Sequence, residues 1–488
     1  MRSTHFLLLA MLLSGAACVR TAAPPERQPS LPIPEAWNST TAEEGSVDVR
    51  WWKQFQDPQL DALIEETLRN SFQLRAISAR LETALIEAEV AGAGRIPSVG
   101  LSLNGRRQRQ NFIGFPIPGF EGRVPRATFT NLGVSLDINW EADLWGRIRS
   151  GEILAGALAS VHAADLAAAR HSLAGQTAKA WFACSEAELQ LALAREMVSS
   201  FEATSKWLRN RFEAGFAPAL EISLVESDIS AAESAVHLRR ELLDRSIRQV
   251  ELLAGRYPRG ELPVRESLPD ISSGVPAGVP SQLLTRRPDL IAAQRRLLAS
   301  DVGIVQAQTA LHPRLSLTTA GGSSTKGLLS LLNWDYTVWS LLGNIVQPIF
   351  QGGRLKRQVD IAQGRSQEIL ETYAGAVLQA FGEVETALSV ESFLRDRQRE
   401  LEESVREAET AREQARFRYR QGLGDMLLVL QTDRRILNSK SQILTLQRLL
   451  LENRIDLHLA LGGGFDPGAP PGAPGALLPV TFAGENGN

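Results

Sequence analysis

The sequence predicts an α+β membrane protein that consists mainly of long α-helical coiled coils, with four β-strands and an internal twofold repeat. The second half of the 488-residue chain repeats motifs of the first half. Two long stretches, Gly146 to Gly215 and Gly353 to Gly422, contain no proline. Shorter segments that precede them alternate apolar and polar residues, which is typical of strands with one face toward lipid.

The repeat is defined by motifs that recur at a constant spacing. Gly146-Arg147-Ile148-Arg149 recurs 207 positions later as Gly353-Arg354-Leu355-Lys356. Upstream of it the spacing is 216, and Leu74, Arg80, Leu81 and Pro97 recur as Leu290, Arg296, Leu297 and Pro313. The difference of 9 residues falls between Pro97 and Gly146. One supersecondary unit is therefore used twice.

The first 17 residues have the features of an export signal. Arg2 is followed by an apolar stretch from Phe6 to Leu13 and then by small residues up to Ala17. After this signal, no apolar run approaches the ~20 residues that span a bilayer as a helix. Any membrane crossing by the mature chain is therefore predicted to be a β-barrel.

Cys18 directly follows the predicted signal, as the acylated cysteine does in a bacterial lipobox. Gly15 stands where a leucine is usual, so ordinary cleavage with an unmodified cysteine is the alternative. Lipidation of Cys18 would leave Cys184, the only other cysteine, without a partner, and we expect no disulfide. We expect Cys184 to be a small buried helix residue.

Each half is predicted to run helix, two strands, very long helix and returning helix. The first helix is expected from about Pro58 to Gly92, with Asp57-Pro58 as its start signal. The predicted segments are a signal peptide (1–17), a lipidated Pro-rich segment (18–50), repeat 1 (51–261, strand hairpin 95–143), a linker (262–280), repeat 2 (281–462, strand hairpin 312–350) and a Gly/Pro-rich tail (463–488).

The strands are identified by alternation. Apolar residues occupy every second position in the first strand, the second strand and the start of the third: Val99, Leu101 and Leu103; Leu132, Val134, Leu136, Ile138 and Trp140; Leu315 and Leu317. The fourth strand, around Trp339 to Phe350, is less regular. A soluble sandwich strand would alternate in the same way, but four strands are too few to close two soluble sheets.

Four strands with one lipid-facing side cannot close a pore, and open sheet edges are excluded from hydrocarbon. Several copies must therefore complete a barrel together. Two copies would supply 8 strands, which side chains nearly fill, and three would supply 12, which begin to leave a lumen.

The long helices carry a heptad repeat, seen at Leu166, Leu173, Phe201 and Leu208 and again at Tyr373, Ala380, Ala408 and Ala415. A period of seven predicts coiled-coil packing along the whole helix. Glycine at the turns, Gly215 and Gly422, predicts tight helical hairpins. A periplasmic scaffold without a pore would show the same heptads, but it leaves the alternating strands unexplained.

Other function classes find little support. The net charge of −3 is near neutral, and the basic and aromatic loop formed by Arg106, Arg107, Arg109, Phe112, Phe115 and Phe120 suits anionic lipid headgroups better than nucleic acid. The six histidines are scattered, and no GxSxG elbow or phosphate-binding loop is present. We therefore expect neither an enzyme nor a nucleic-acid-binding protein, and no cofactor.

Four motifs together resemble outer-membrane efflux lipoproteins of the TolC-like, NodT type. They are Trp51-Trp52 with Phe55 and Asp57-Pro58; Trp140-Glu141-Ala142-Asp143-Leu144-Trp145-Gly146-Arg147; Leu284-Thr285-Arg286-Arg287-Pro288-Asp289-Leu290; and Gln347-Pro348-Ile349-Phe350-Gln351-Gly352-Gly353-Arg354. The resemblance covers nearly the whole mature chain. It implies a homotrimer in the outer membrane, with a 12-stranded β-barrel continuous with a periplasmic α-barrel of 12 helices.

The resemblance also implies partners and site residues. An inner-membrane resistance-nodulation-division pump would supply the energy, a periplasmic adaptor would join it to the channel, and the channel would be a passive exit duct without a selective pocket. Adaptor docking is implied for the hairpin tips, at Arg211, Phe212, Gly215, Phe216, Arg418, Tyr419, Gly422 and Leu423. Helix capping alone would also account for the two glycines.

An acidic ring closes the periplasmic end in this family, and Asp425 is the candidate here. A role for Asp425 as N-cap of the returning helix is an equal alternative. A type I protein-secretion duct is a second possible function, although the lipid anchor and the Arg286-Arg287-Pro288-Asp289 motif favour efflux.

Overall fold

The computed structural model describes residues 27, 31–38, 48, 50–113, 124–265, 267–270 and 278–463. The predicted signal peptide, Cys18, most of the Pro-rich segment, Phe115, Phe120 and nearly all of the predicted tail lie outside these residues. Within the described part the chain is mostly helical, with one antiparallel sheet of four strands. The α+β composition predicted from the sequence is thus confirmed.

The elements follow one another in the same order in both halves. They are α1 (Pro58–Asn70), α2 (Phe72–Ala93), β1 (Ser98–Asn111), β2 (Arg126–Ala142), α3 (Arg147–Glu213), α4 (Ala219–Leu253), α5 (Leu283–Arg286), α6 (Pro288–Thr309), β3 (Arg314–Thr325), β4 (Thr337–Val346), α7 (Arg354–Arg420) and α8 (Met426–Ala460). The two long helices α3 and α7 each have 67 residues, and the returning helices α4 and α8 each have 35.

The first helix differs from the prediction because it is broken at Ser71. Asp57 caps α1 as expected, since its Oδ1 accepts hydrogen bonds from the N–H groups of Gln59 and Leu60 at 3.0 and 3.2 Å. Ser71 leaves the helical conformation, with ψ at 119°, and its Oγ accepts from the N–H of Leu74 at 3.3 Å. The serine therefore ends one helix and caps the next.

The Trp51-Trp52 motif builds the core beside the long helix α3. Trp51, Trp52 and Phe55 are buried and pack with α1, α3 and α8. Trp181 of α3 donates its indole N–H to Asp57 Oδ2 at 2.9 Å. One carboxylate therefore caps α1 and fixes α1 against α3.

The long helices pack lengthwise against their returning partners, α3 against α4 and α7 against α8, and α3 also contacts α8. Heptad positions such as Leu173, Leu208 and Tyr373 are buried in these contacts. Among the described helices, only α3 is long and apolar enough to cross a membrane by length and composition. Its packing against five neighbouring helices is typical of a core helix.

The sheet has the order β1-β2-β3-β4, so that β2 and β3 join the two halves. Its register puts Leu101 opposite Leu136 and Leu103 opposite Val134. The same face continues through Leu315 and Leu317 to Leu341 and Ile345. This side is the apolar sheet face, and Leu101, Leu103 and Leu341 are each at least 70% exposed in the single chain.

The opposite side is mostly polar on β1, β2 and β3, where side-chain hydrogen bonds join the strands, whereas on β4 it carries Val338, Leu342 and Val346. Thr318 donates to Asn139 Oδ1 at 3.1 Å, Ser324 donates to Asn131 Oδ1 at 2.7 Å, and Ser102 hydrogen-bonds to Asp137. Because successive side chains of a strand point to opposite faces, the alternation in sequence becomes two chemically different sides of one sheet.

Strand ends depart from the expected limits at two places. β4 runs from Thr337 to Val346 and ends before Pro348, which has no N–H to donate to a ladder. β1 continues to Asn111, so Arg106, Arg107 and Arg109 lie in the strand itself, and the expectation that they form a loop is wrong. The backbone pairing of β1 with β2 continues through these polar residues. Their sequence has no apolar alternation from which a strand could be predicted.

Candidate functional site

The two helical hairpin tips carry nearly all of the predicted site residues. At the first tip Gly215 has φ +78°, its N–H donates to the carbonyl of Phe212 at 2.9 Å, and that of Phe216 donates to the carbonyl of Arg211 at 2.8 Å. The second tip repeats this arrangement, with φ +73° at Gly422. These pairs of bonds are Schellman caps, which account for both glycines.

The residue after each glycine is exposed. Phe216 and Leu423 each expose 72% of their surface, and Phe212, one turn earlier in the first tip, exposes 46%. Truncation of Phe216 or Leu423 would leave the helix cap intact, because the cap uses only main-chain atoms. Large apolar side chains at such a position are suited to contact another protein.

Arg211 and Tyr419, the other residues of the motif, hold the two hairpins together. The guanidinium of Arg211 lies 5.3 Å from the ring centroids of both Trp207 and Tyr419 and 6.0 Å from that of Phe216. These distances permit cation–π attraction. Because Tyr419 belongs to α7 and the other three residues to the first hairpin, the contact joins the hairpins.

Tyr419 is buried and its hydroxyl donates a hydrogen bond to Glu221 of α4. Burial, and then the adjacent Glu221 carboxylate, raise the pKa of Tyr419 well above its ordinary value. The phenol therefore remains protonated at neutral pH and keeps this bond. Sequence reasoning missed Glu221 and Trp207, although Trp207 lies one helical turn before Arg211 and so on the same face.

Each hairpin has an ion pair close to its tip. Arg209 contacts Glu226 at 2.9 Å in the first hairpin, and Arg416 contacts Asp433 at 3.0 Å in the second. Both partners of the second pair lie 207 positions after those of the first. Asp433 is buried, and Arg412 approaches it at 3.9 Å as well.

Another ion pair crosses between the hairpins. Arg434 of α8 contacts Asp228 of α4. Together with the contact of Tyr419 and Glu221, this pair fixes how the second hairpin lies against the first.

Asp425 stands at the N-terminus of α8, where its Oδ1 accepts from the N–H of Leu427 at 2.9 Å. The structure thus shows the capping role that the sequence left as one of two alternatives. The residue is exposed at the tip, and Pro218 occupies the equivalent place in the first hairpin. Arg418, also exposed, lies near the Leu423 carbonyl at 3.5 Å.

The family model of the outer membrane efflux protein matches residues 63–256 and 279–463. The chain belongs to the outer membrane efflux protein family. Each matched segment contains one long helix with its hairpin tip, and together they include the whole sheet. The resemblance inferred from the four sequence motifs is confirmed.

Individual members of the outer membrane efflux protein family are similar over almost their full length. Pyoverdine export outer membrane protein OpmQ of Pseudomonas putida is 32% identical over 96% of this chain and 98% of its own. Outer membrane protein OprJ of Pseudomonas aeruginosa is 30% identical, again over 96% and 98%. The solved structure of the outer-membrane channel OprN superposes with a TM-score of 0.80 at 26% identity, covering 90% of this chain and 99% of that one.

These likenesses establish the general activity and location. The protein is an outer-membrane component of an efflux pump, as the sequence predicted. The apolar sheet face agrees with that location, because a membrane protein must present apolar side chains to lipid.

Proposed function

We propose that three copies of this chain form a channel through which an efflux pump discharges small molecules across the outer membrane. The observation that carries the proposal is the sheet, which has one apolar exposed face and, among the described strands, two unpaired edges, β1 and β4. Unpaired edges are costly in hydrocarbon, so β4 of one copy would pair with β1 of the next. Three copies would close 12 strands around a lumen lined by the polar face.

The long helices would continue this channel into the periplasm. At ~1.5 Å per residue, a helix of 67 residues is roughly 100 Å long. Each chain would contribute the helices α3, α4, α7 and α8, so that a trimer has 12 in its tunnel. Because the two halves of the chain have long helices of equal length, the wall of this threefold assembly would have nearly sixfold symmetry.

The N-terminal residues and two partner proteins would have roles in the same assembly. Residues 1–17 would direct export, and acylated Cys18 would anchor the mature protein to the membrane. A periplasmic adaptor would bind the tips through Phe216 and Leu423 and connect them to an inner-membrane resistance-nodulation-division transporter. OpmQ is named for pyoverdine export, which fits a conduit for small molecules whose selection is made by the pump.

The purified wild-type protein tests the proposal directly. We expect a heat-sensitive trimer from outer membranes that gives stable conductance steps in planar lipid bilayers. The polar sheet face predicts a water-filled lumen and therefore ohmic conductance once the periplasmic end is open. A monomeric protein released into the soluble periplasm on removal of the lipid anchor would contradict it and favour the scaffold alternative.

Asp425 would additionally restrict the periplasmic end, because three carboxylates near a threefold axis repel one another and attract cations. We expect Asp425→Asn to raise single-channel conductance without loss of stability, since asparagine keeps an oxygen for the Leu427 N–H. Asp425→Ala should raise conductance and also destabilise the protein by about 1 kcal/mol per copy. Conductance of Asp425→Asn equal to wild type would show that Asp425 is a cap only.

A further inference from the structure

The β1–β2 hairpin projects beyond the rest of the sheet. Pairing of β1 with β2 continues to Asn111 opposite Arg126, whereas pairing of β2 with β3 stops at Leu132 opposite Thr325. Six residues of β2, from Arg126 to Asn131, therefore extend past β3. At ~3.4 Å per residue this projection is about 20 Å long.

Three arginines of the projection share the face that carries the apolar residues lower down. Arg107 lies opposite Thr130, Arg109 opposite Thr128, and Arg126 opposite Asn111. Since alternate residues share a face, these arginines are on the side of Leu101 and Leu103. They form the arginine patch. Arg106, adjacent in sequence, is on the polar side with Asn131.

The height of the arginine patch matches the edge of the apolar band. Arg107 is eight positions after Val99. With a ~3.4 Å rise and a strand tilt of ~40°, Arg107 would stand about 21 Å above Val99, and the apolar band of such barrels is ~25 Å tall. On β2 the same face changes from Leu132 to Thr130 at this level. The guanidinium groups would therefore lie at headgroup depth.

Within the described residues the patch is open to solvent. All three arginines are exposed, and none forms an ion pair with another residue among those that the structure describes. A short 3-10 helix, Leu328–Leu332, follows β3, contacts β2 and β3, and exposes Leu328, Leu329 and Leu332 by 74, 98 and 93%. Clustered guanidinium groups above apolar side chains suit a molecule with phosphates at one end and acyl chains at the other.

We propose that the arginine patch binds the phosphorylated headgroup of a lipid in the outer leaflet. The inference rests on the proposed function, because it needs the sheet to span the membrane with the β1–β2 turn outward. Each guanidinium group would donate two hydrogen bonds to phosphate oxygens, while Leu328, Leu329 and Leu332 contact the acyl chains. The binding site would fix the height and tilt of the channel in the membrane.

Binding of diphosphorylated lipid A to the purified full-length protein in detergent tests the inference by native mass spectrometry. We expect Arg107→Gln to weaken binding about five-fold, and Arg107→Gln with Arg109→Gln and Arg126→Gln to weaken it on the order of 100-fold. Arg106→Gln removes the same charge from the polar face, and we expect it to bind like wild type. Enzymatically dephosphorylated lipid A should bind all variants equally weakly.

Three results would overturn the site: equal losses for Arg106→Gln and Arg107→Gln, undiminished binding of dephosphorylated lipid, or complete competition by millimolar inorganic phosphate. The last would show an anion site without a lipid role. Conductance of the same preparations separates the two proposals. Normal conductance without selective lipid binding would refute the arginine patch alone, whereas absence of trimers and conductance in wild type would refute the channel on which it rests.

Discussion

Leu103→Arg should prevent the protein from accumulating as a trimer in the outer membrane. Leu103 lies on the apolar sheet face, 76% exposed, and by its strand position about 10 Å above Val99, near the middle of a ~25 Å apolar band. Arginine on the lipid face near the bilayer midplane costs about 2–4 kcal/mol. In a trimer this cost occurs three times, so we expect at least a ten-fold loss of heat-sensitive trimer.

The neighbouring residue supplies the control. Asn104 is in the same strand and at nearly the same depth, but it lies on the polar face opposite Gly133. Asn104→Arg introduces the same side chain where the proposed lumen holds water, and we expect near-normal amounts of trimer. Equal trimer levels for Leu103→Arg and Asn104→Arg would contradict the assignment of the two faces. The measurement is semi-native electrophoresis of outer-membrane fractions.

Truncation of the exposed tip residues should uncouple the channel from its pump. Phe216→Ala and Leu423→Ala each remove an apolar side chain that is 72% exposed. Side chains that anchor an interface in this way commonly contribute about 2 kcal/mol or more, which corresponds to roughly a 30-fold loss of affinity. We expect the double variant to co-purify little periplasmic adaptor and to accumulate pump substrate, with trimer levels unchanged.

Phe393→Ala is the matched control for the tip. Phe393 is 68% exposed, but it lies in α7, 27 residues before Arg420 and therefore roughly 40 Å along the helix from the tip. With trimer levels equalised, Phe393→Ala should retain adaptor. The main-chain caps at Gly215 and Gly422 are untouched by all three substitutions, so a loss confined to the tip variants would identify docking. Equal retention by tip and control variants would disprove it.

The features that the sequence predicts well are those with a strong local cause. Asp57-Pro58 starts a helix because a carboxylate and a proline both suit its first turn, and the structure shows that cap. Alternation along β1 and β2 predicts two faces because the period of a strand is two residues. Glycine after a long proline-free helix predicts the tips, where a positive φ is required.

Features that interrupt a local pattern, or that depend on distant partners, could not be predicted in this way. The break at Ser71 interrupts an apolar pattern that continues through it, because the serine hydroxyl competes with the helical hydrogen bonds. Tyr419 and Glu221, which are 198 positions apart, come together only when the two hairpins pack. Arg211 illustrates the same point, since its motif suggested an exposed contact whereas its guanidinium lies among aromatic rings of both hairpins.

The pairing of β2 with β3 has a consequence for the order in which the chain folds. Leu136 pairs with Gly321, so the centre of the sheet joins residues 185 positions apart. The α3–α4 hairpin joins two helices that are consecutive in the sequence, so it can begin to form before β3 and α8 are available. Until β3 is available, the edge of β2 stays unpaired, and unpaired strand edges promote aggregation. Helical assembly would therefore precede membrane insertion, and the unfinished sheet would be the stage at which a periplasmic chaperone is most needed.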